Sequence, residues 1–272
     1  MNEDAHIDRA NGILECVLND AQNTAGALAE AAAQILSGQT PTPGSGLRLS
    51  GEHRRALQTH IQVALQLNPW CNGAGFASYA APAGLDDGYW TLEWWQQEGP
   101  SMQQAQLDRN QETRRRLDFR AFAWFDQPAR CLRPVVEGPY VDYICNGAYT
   151  ITAAHPVLVQ GACAGVAAVD VLVATLDRML LPALHPIGKP ALVLNADSRV
   201  VMSTAHRIRP GSLWRPQQGD RLIGPARALR LAVLAATPLR SVFASPRTVA
   251  RHSSTNSPGS QASSTRQTRP NS

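Results

Sequence analysis

This sequence predicts an α+β fold, a long N-terminal helix followed by a mainly antiparallel sheet, and three observations lead there. Apolar residues recur every seven positions at Ile7, Leu14, Ala21, Leu28 and Ile35, with Ala10, Val17, Leu18, Ala25 and Ala32 between them. From Gly138 to Val171 the chain reads as strand, turn, strand, turn, strand. After about residue 244 it becomes rich in Ser, Thr, Pro and Arg and nearly devoid of apolar residues, so it cannot bury enough surface to offset ordering. The expected organisation is one domain over residues 1–243 and a disordered basic tail over 244–272.

The heptad spacing places the long helix at about residues 4–37, with Asn2 or Asp4 as its cap and Gly38 just past its end. Its narrow apolar stripe suits a parallel homodimer, or packing along a sheet of the same domain. QTPTPGSG (39–46) is a loop, and residues 51–67 return to helical spacing through Leu57, Ile61, Ala64 and Leu65. The sheet core is expected over about 70–240. GAGFASYA (73–80) and YWTLEWWQQ (89–97) form a hairpin around PAGLDDG. GAGFAS lacks the third glycine of a dinucleotide-binding fingerprint, and no helix follows it. Residues 102–120 read as a polar connecting helix or loop, and AFAWFDQPARCL sets Trp124 and Phe125 close before a proline. Three strands follow, then a helix over 171–184 with Val171, Leu172, Leu176, Met179 and Leu180 on one face. A hairpin over 191–203 and a strand over 230–237 close the domain.

Composition excludes several function classes. The net charge is +4, but Arg240, Arg247, Arg251, Arg266 and Arg269 stand in an acid-free C-terminal stretch, which leaves the rest at −1. A nucleic-acid-binding face is therefore not expected. No stretch approaches the ~20 apolar residues that span a bilayer, and MNEDAHIDRANG has no basic or apolar leader region. A cytoplasmic location is expected. The five cysteines, Cys16, Cys71, Cys131, Cys145 and Cys163, form no CxxC pair, so free thiols are expected and no metal or cofactor site.

The order of elements, with YWTLEWWQ, AWFDQP, GPYVDY, YTITAAHPV, AGVAAVDVLVATLDRML and ALVLNADSRVVMST, resembles a Cache (PDC-type) sensor domain, a ligand-binding relative of PAS folds. The resemblance covers roughly residues 5–240. It implies a PAS-like sheet with a small polar ligand bound on one face. In the amino-acid-binding branch, a tyrosine, an arginine, a tryptophan and a second tyrosine hold the ligand carboxylate, and a later tyrosine and aspartate hold its amine. Trp124 and Phe125 stand at the tryptophan and second aromatic positions, but Phe122 replaces the arginine and Leu117 the first tyrosine. Asp170 matches the amine-binding aspartate. The resemblance thus favours an amine or amino-acid-like cation over a simple carboxylate.

Asp142 and Asp170 among Trp95, Trp124, Tyr140 and Tyr149 would make an anionic, aromatic-walled cleft suited to an ammonium group. These six are the expected ligand-binding residues. Two structural readings stand beside this one. Asp170 could be the N-cap of the following helix, and Asp142 could cap a turn or pair with Arg120 or Arg133. Trp94 and Trp95, adjacent on a strand, face opposite sides, so one of them is core. The function expected is a soluble sensor acting through a separate signalling or transcription-regulatory protein. A ligand-free dimeric scaffold, or a receptor remnant, is the alternative. An enzyme, with Asp142 and Asp170 as acid and base or His155 as base, is the third reading; HExxH, nucleophile-elbow and P-loop signatures are absent, so no catalytic residue is assigned.

Overall fold

The computed structural model describes residues 2–41, 47, 49–80, 89–99, 101–105, 118–143, 147–224 and 229–235. Leu117, Cys145, the PAGLDDG turn and the tail of residues 244–272 lie outside the described residues.

Helix α1 spans Glu3–Ile35, with Asn2 as N-cap accepting a hydrogen bond from the Ala5 N–H at 3.0 Å. Its apolar stripe is not an exposed seam. Ile7, Leu14, Val17, Ala25, Leu28 and Ala32 are all 2% exposed or less and join one core with the strands beneath them. The frequent alanines let the helix lie close on the sheet. The parallel dimer argued from this stripe therefore loses its basis, because the stripe is used inside the domain. At its start, Glu3 pairs with Lys189 (2.8 Å) and Asp4 with Arg221 (2.8 Å).

Helix α2 covers Gly51–Leu67, capped by the Ser50 hydroxyl, which accepts from the His53 N–H. Then come β1 (Gly73–Ala80), β2 (Tyr89–Glu98) and β3 (Ser101–Gln104). A short 3-10 turn (Phe119–Ala121) leads into α3 (Ala123–Cys131). Strands β4 (Val135–Val141), β5 (Tyr149–Val159) and β6 (Ala162–Leu172) follow, then α4 (Val173–Leu184). The first sheet has the order β3-β2-β1-β6-β5-β4, with every neighbouring pair antiparallel. A second antiparallel sheet, in the order β8-β7-β10-β9, is built from β7 (Ala191–Leu194), β8 (Val200–Ser203), β9 (Arg221–Ile223) and β10 (Arg230–Val233).

The first sheet is covered on both faces. One face, carrying Phe76, Ile151, Ala153, Ala167 and Val169, packs on α1. The other carries Ala77, Trp94, Ala154, Val166 and Ala168 and is covered by Phe119, Trp124 and Phe125 from the 3-10 turn and α3. Two elements differ from expectation. Part of the stretch read as connector is strand β3. The AWFDQPARC segment is helical although Pro128 lies inside it and Phe122 gives no side-chain cap. Burial of Trp124, Phe125 and Pro128 against the sheet outweighs that poor local propensity.

Candidate functional site

The site is built on the sheet face beneath α3. In register, Gly73 of β1 stands opposite both Gln96 of β2 and Asp170 of β6, and Asp170 stands opposite Thr152 of β5. Paired residues point to the same side. One row therefore crosses four strands as Gln96, Gly73, Asp170 and Thr152.

Asp170 is 2% exposed. Its Oδ1 accepts a 2.6 Å hydrogen bond from the Thr152 hydroxyl, which lies 2.6 Å from the Tyr140 hydroxyl. Asp142, at the end of β4, is also buried and acts on Asp170 through its charge. Burial pushes the Asp170 carboxyl well above the usual carboxylate range, Asp142 adds to the rise, and the Thr152 hydrogen bond opposes it. Burial drives the nearby Cys71 thiol up to about 12, with Asp170 and Asp20 adding to the shift.

Asp170 is not a helix cap. The cap position of α4 is Leu172, whose N–H donates to Asn72 Oδ1 at 3.4 Å; the same oxygen accepts from Thr175 Oγ1 at 3.1 Å. Nor does Arg120 pair with Asp142. Its guanidinium forks onto Asp118 (2.7 and 2.6 Å) and lies 4.2 Å over the Tyr79 ring. Asp142 does close a turn through its backbone, donating to Ala148 O and accepting from the Gly147 N–H.

Of the six expected residues, Asp170, Asp142, Tyr140 and Trp124 lie on this side of the sheet. Trp124 sits 6.2 Å from the Trp94 ring and 6.2 Å from Phe119. Phe122, at the position of the resembling family's arginine, packs on Tyr140 at 5.9 Å. Trp95 and Tyr149 are placed elsewhere. Trp95 packs with the α1-side core, and the tryptophan on the Asp170 face is Trp94. Tyr149 alternates with Ile151 on the α1 side and is 44% exposed. Strand alternation separates Trp94 from Trp95 but does not say which faces the acids.

Sequence reading also missed what the glycines of GAGFAS do. A Cβ on Gly73 would come within 2.9 Å of Trp94 Nε1, and one on Gly75 would collide with the Trp94 ring and the Glu93 carbonyl. The two glycines form a floor on which the Trp94 indole lies. The pairing of a Gly-x-Gly strand with an aromatic strand was the only available signal.

Three other features lie off this face. Glu93 is 2% exposed and is held by Arg54 (2.5 Å), Gln58 (3.0 Å) and Gln104 (3.1 Å), which tie α2 to β2 and β3. His155 faces α1 across Gly26, on the other side from the acids, and burial lowers its pKa while Glu30 opposes the shift. An acid–base set of Asp170 with His155 is thus not assembled. A cavity of about 430 Å³ opens between α1 and α2, lined by Asp20, Asn23, Ala27, His60 and Leu67 among others. Among the described residues, no group of three His, Cys, Asp or Glu could hold a metal ion, and no helix is long and apolar enough to cross a membrane.

No protein-family model matches the sequence, and no curated protein does. Solved structures match. Methyl-accepting chemotaxis protein X is 16% identical, with 84% of this chain and 96% of that one covered and a TM-score of 0.54. The ligand-binding domain of the Campylobacter jejuni chemoreceptor Tlp3 in complex with L-valine is 13% identical, covering 84% and 89%, with a TM-score of 0.55. The extracellular domain of the putative histidine kinase mmHK1S-Z3 is 11% identical, covering 85% and 89%, with a TM-score of 0.54. At these identities the likeness is one of fold, and the fold is that of a Cache (PDC-type) sensor domain.

Proposed function

We propose that this protein is a small-molecule sensor domain whose ligand carries an amine, held by Asp170 with Asp142, Tyr140 and Trp124 around it. The observation that carries this reading is a carboxyl buried to 2% exposure beside a second buried acid, with no cation among the described residues influencing it. A buried acid left without a cation costs stability, and an ammonium ligand supplies the missing charge. The Tlp3 domain named above was solved with an amino acid bound. A carboxylate is a poor match for this face, because Phe122 stands where the resembling family has its arginine and Arg120 is neutralised by Asp118. Trp95 and Tyr149 have no part in the proposal.

Because Asp170 is so deeply covered, a ligand reaches it only when the cover over this face of the sheet shifts. Occupancy is then passed to a signalling output, a step that rests on the resemblance alone. The mmHK1S-Z3 neighbour is described as an extracellular domain.

A thermal-shift screen against amines, amino acids and small acids tests the reading. Ligand at a hundredfold excess over Kd stabilises the native state by about 2.7 kcal/mol. Amines should shift the melting temperature, and Asp170→Asn should weaken their binding by roughly 10- to 100-fold, as expected for a lost charge-assisted hydrogen bond. A broad panel without any shift would favour a ligand-free scaffold, and turnover of a probe would favour an enzyme.

A further inference from the structure

In the row of Asp170 are two hydrogen-bond donors with no acceptor. Trp94 is 4% exposed, and its indole Nε1 is buried without a partner; the side-chain nitrogen of Gln96 is likewise buried and unpartnered. Both belong to the Asp170 row. Gln96 is the β2 neighbour of Gly73, Asp170 is its β6 neighbour, and Trp94 Nε1 lies over Gly73 itself, 2.9 Å from where a Cβ would be. Opposed Cβ positions on neighbouring strands are about 5 Å apart. The carboxyl and the orphan donors therefore belong to strands on either side of β1, with the Trp94 indole lying over Gly73 between them.

A buried donor without an acceptor carries an unrecovered desolvation cost. Neither donor bonds to Asp170. The pattern is complementary to a ligand with a cationic nitrogen at one end and an acceptor oxygen three bonds away. That oxygen is neutral: both orphan donors are uncharged, and the aromatic-stacked arginine, Arg120, lies six residues along β1 at Tyr79, already forked onto Asp118. We infer that the ligand is a small primary amine bearing a neutral oxygen acceptor, an amino amide or amino alcohol, with its oxygen accepting from Trp94 Nε1 and Gln96 Nε2 while its nitrogen donates to Asp170. This rests on the amine reading above and assigns Trp94 and Gln96 as specificity-determining residues.

The test is calorimetric titration with four probes on one carbon skeleton: L-alaninamide, isopropylamine, L-alanine and propionamide. Alaninamide should bind the wild type at least tenfold more tightly than each of the other three. Trp94→Phe and Gln96→Met should each reduce alaninamide towards the affinity of isopropylamine and leave isopropylamine unchanged. The wild-type series stands alone if Trp94→Phe fails to fold, and Gln96→Met keeps a variant arm. Equal affinity for alaninamide and isopropylamine, or tighter binding of alanine, overturns the inference. In that case isopropylamine binding that is lost in Asp170→Asn leaves the amine reading standing, whereas no binding by alaninamide, isopropylamine or alanine removes both.

Discussion

Asp170→Asn should change how stability depends on pH. Asparagine keeps the shape of the side chain, and its carbonyl oxygen can accept the same hydrogen bond from Thr152. Its charge state does not change with pH. In the wild type, the unfolded Asp170 ionises near pH 4, while the folded carboxyl is raised well above the ordinary value by burial and by Asp142. Above about pH 4 the folded state holds a proton that the unfolded chain has released, so raising the pH favours unfolding. The slope for one proton is about 1.4 kcal/mol per pH unit. Stability contributed below pH 4 is thus lost progressively as pH climbs towards the folded ionisation point, and levels off beyond it. Relative to the variant, the wild type should lose stability as the pH rises from about 4 towards neutral, at no more than about 1.4 kcal/mol per pH unit. Urea unfolding at three pH values in that window, on both proteins, measures it. Parallel profiles would show that Asp170 is ionised in the fold at ordinary pH, and the argument for an uncompensated buried acid would fail.

Arg54→Met should destabilise the domain by about 3 kcal/mol, because Glu93 stays buried with only two glutamine donors; a change under 1 kcal/mol in urea unfolding would mean the pair is a surface contact. Gly75→Ala should cost about 1–3 kcal/mol through overpacking against Trp94, with a matching change in tryptophan fluorescence; an unaltered melting temperature and spectrum would refute the glycine floor. Leu28→Lys should unfold the protein or cost at least about 4 kcal/mol, since Leu28 is 2% exposed. A folded variant of lower oligomeric order on sizing would instead restore the stripe of α1 as an interface between copies.

The sheet was legible because strand patterns over 138–171 leave little choice of element, and Asp170 stood out as an acid in an otherwise apolar strand. Its company was harder to read. Alternation fixes Trp94 and Trp95 as opposites but not which one faces the acids, because the sheet is apolar on both faces. The α1 stripe carries a period shared by a helix on its own sheet and a helix on a partner, so spacing could not choose between them. Helix α3 was hidden by Pro128, a local signal that tertiary burial overrode. The Glu93 cluster joins residues 39 apart between Arg54 and Glu93, and nothing local announces such a pairing.

The fit of Trp94 onto Gly73 and Gly75 has an evolutionary consequence. Volume is shared between two strands, so the positions should drift as a set: a lineage that trades the indole for a small side chain gains room for alanine or serine at the glycines, and one that gains a methyl there first loses the indole. Chains that retain Gly-x-Gly with a tryptophan 19 residues beyond the second glycine would mark the branch that keeps this fit. That signature differs from the arginine–tryptophan–tyrosine motif by which the amino-acid sensors are sought, so such relatives would be passed over by a search built on that motif.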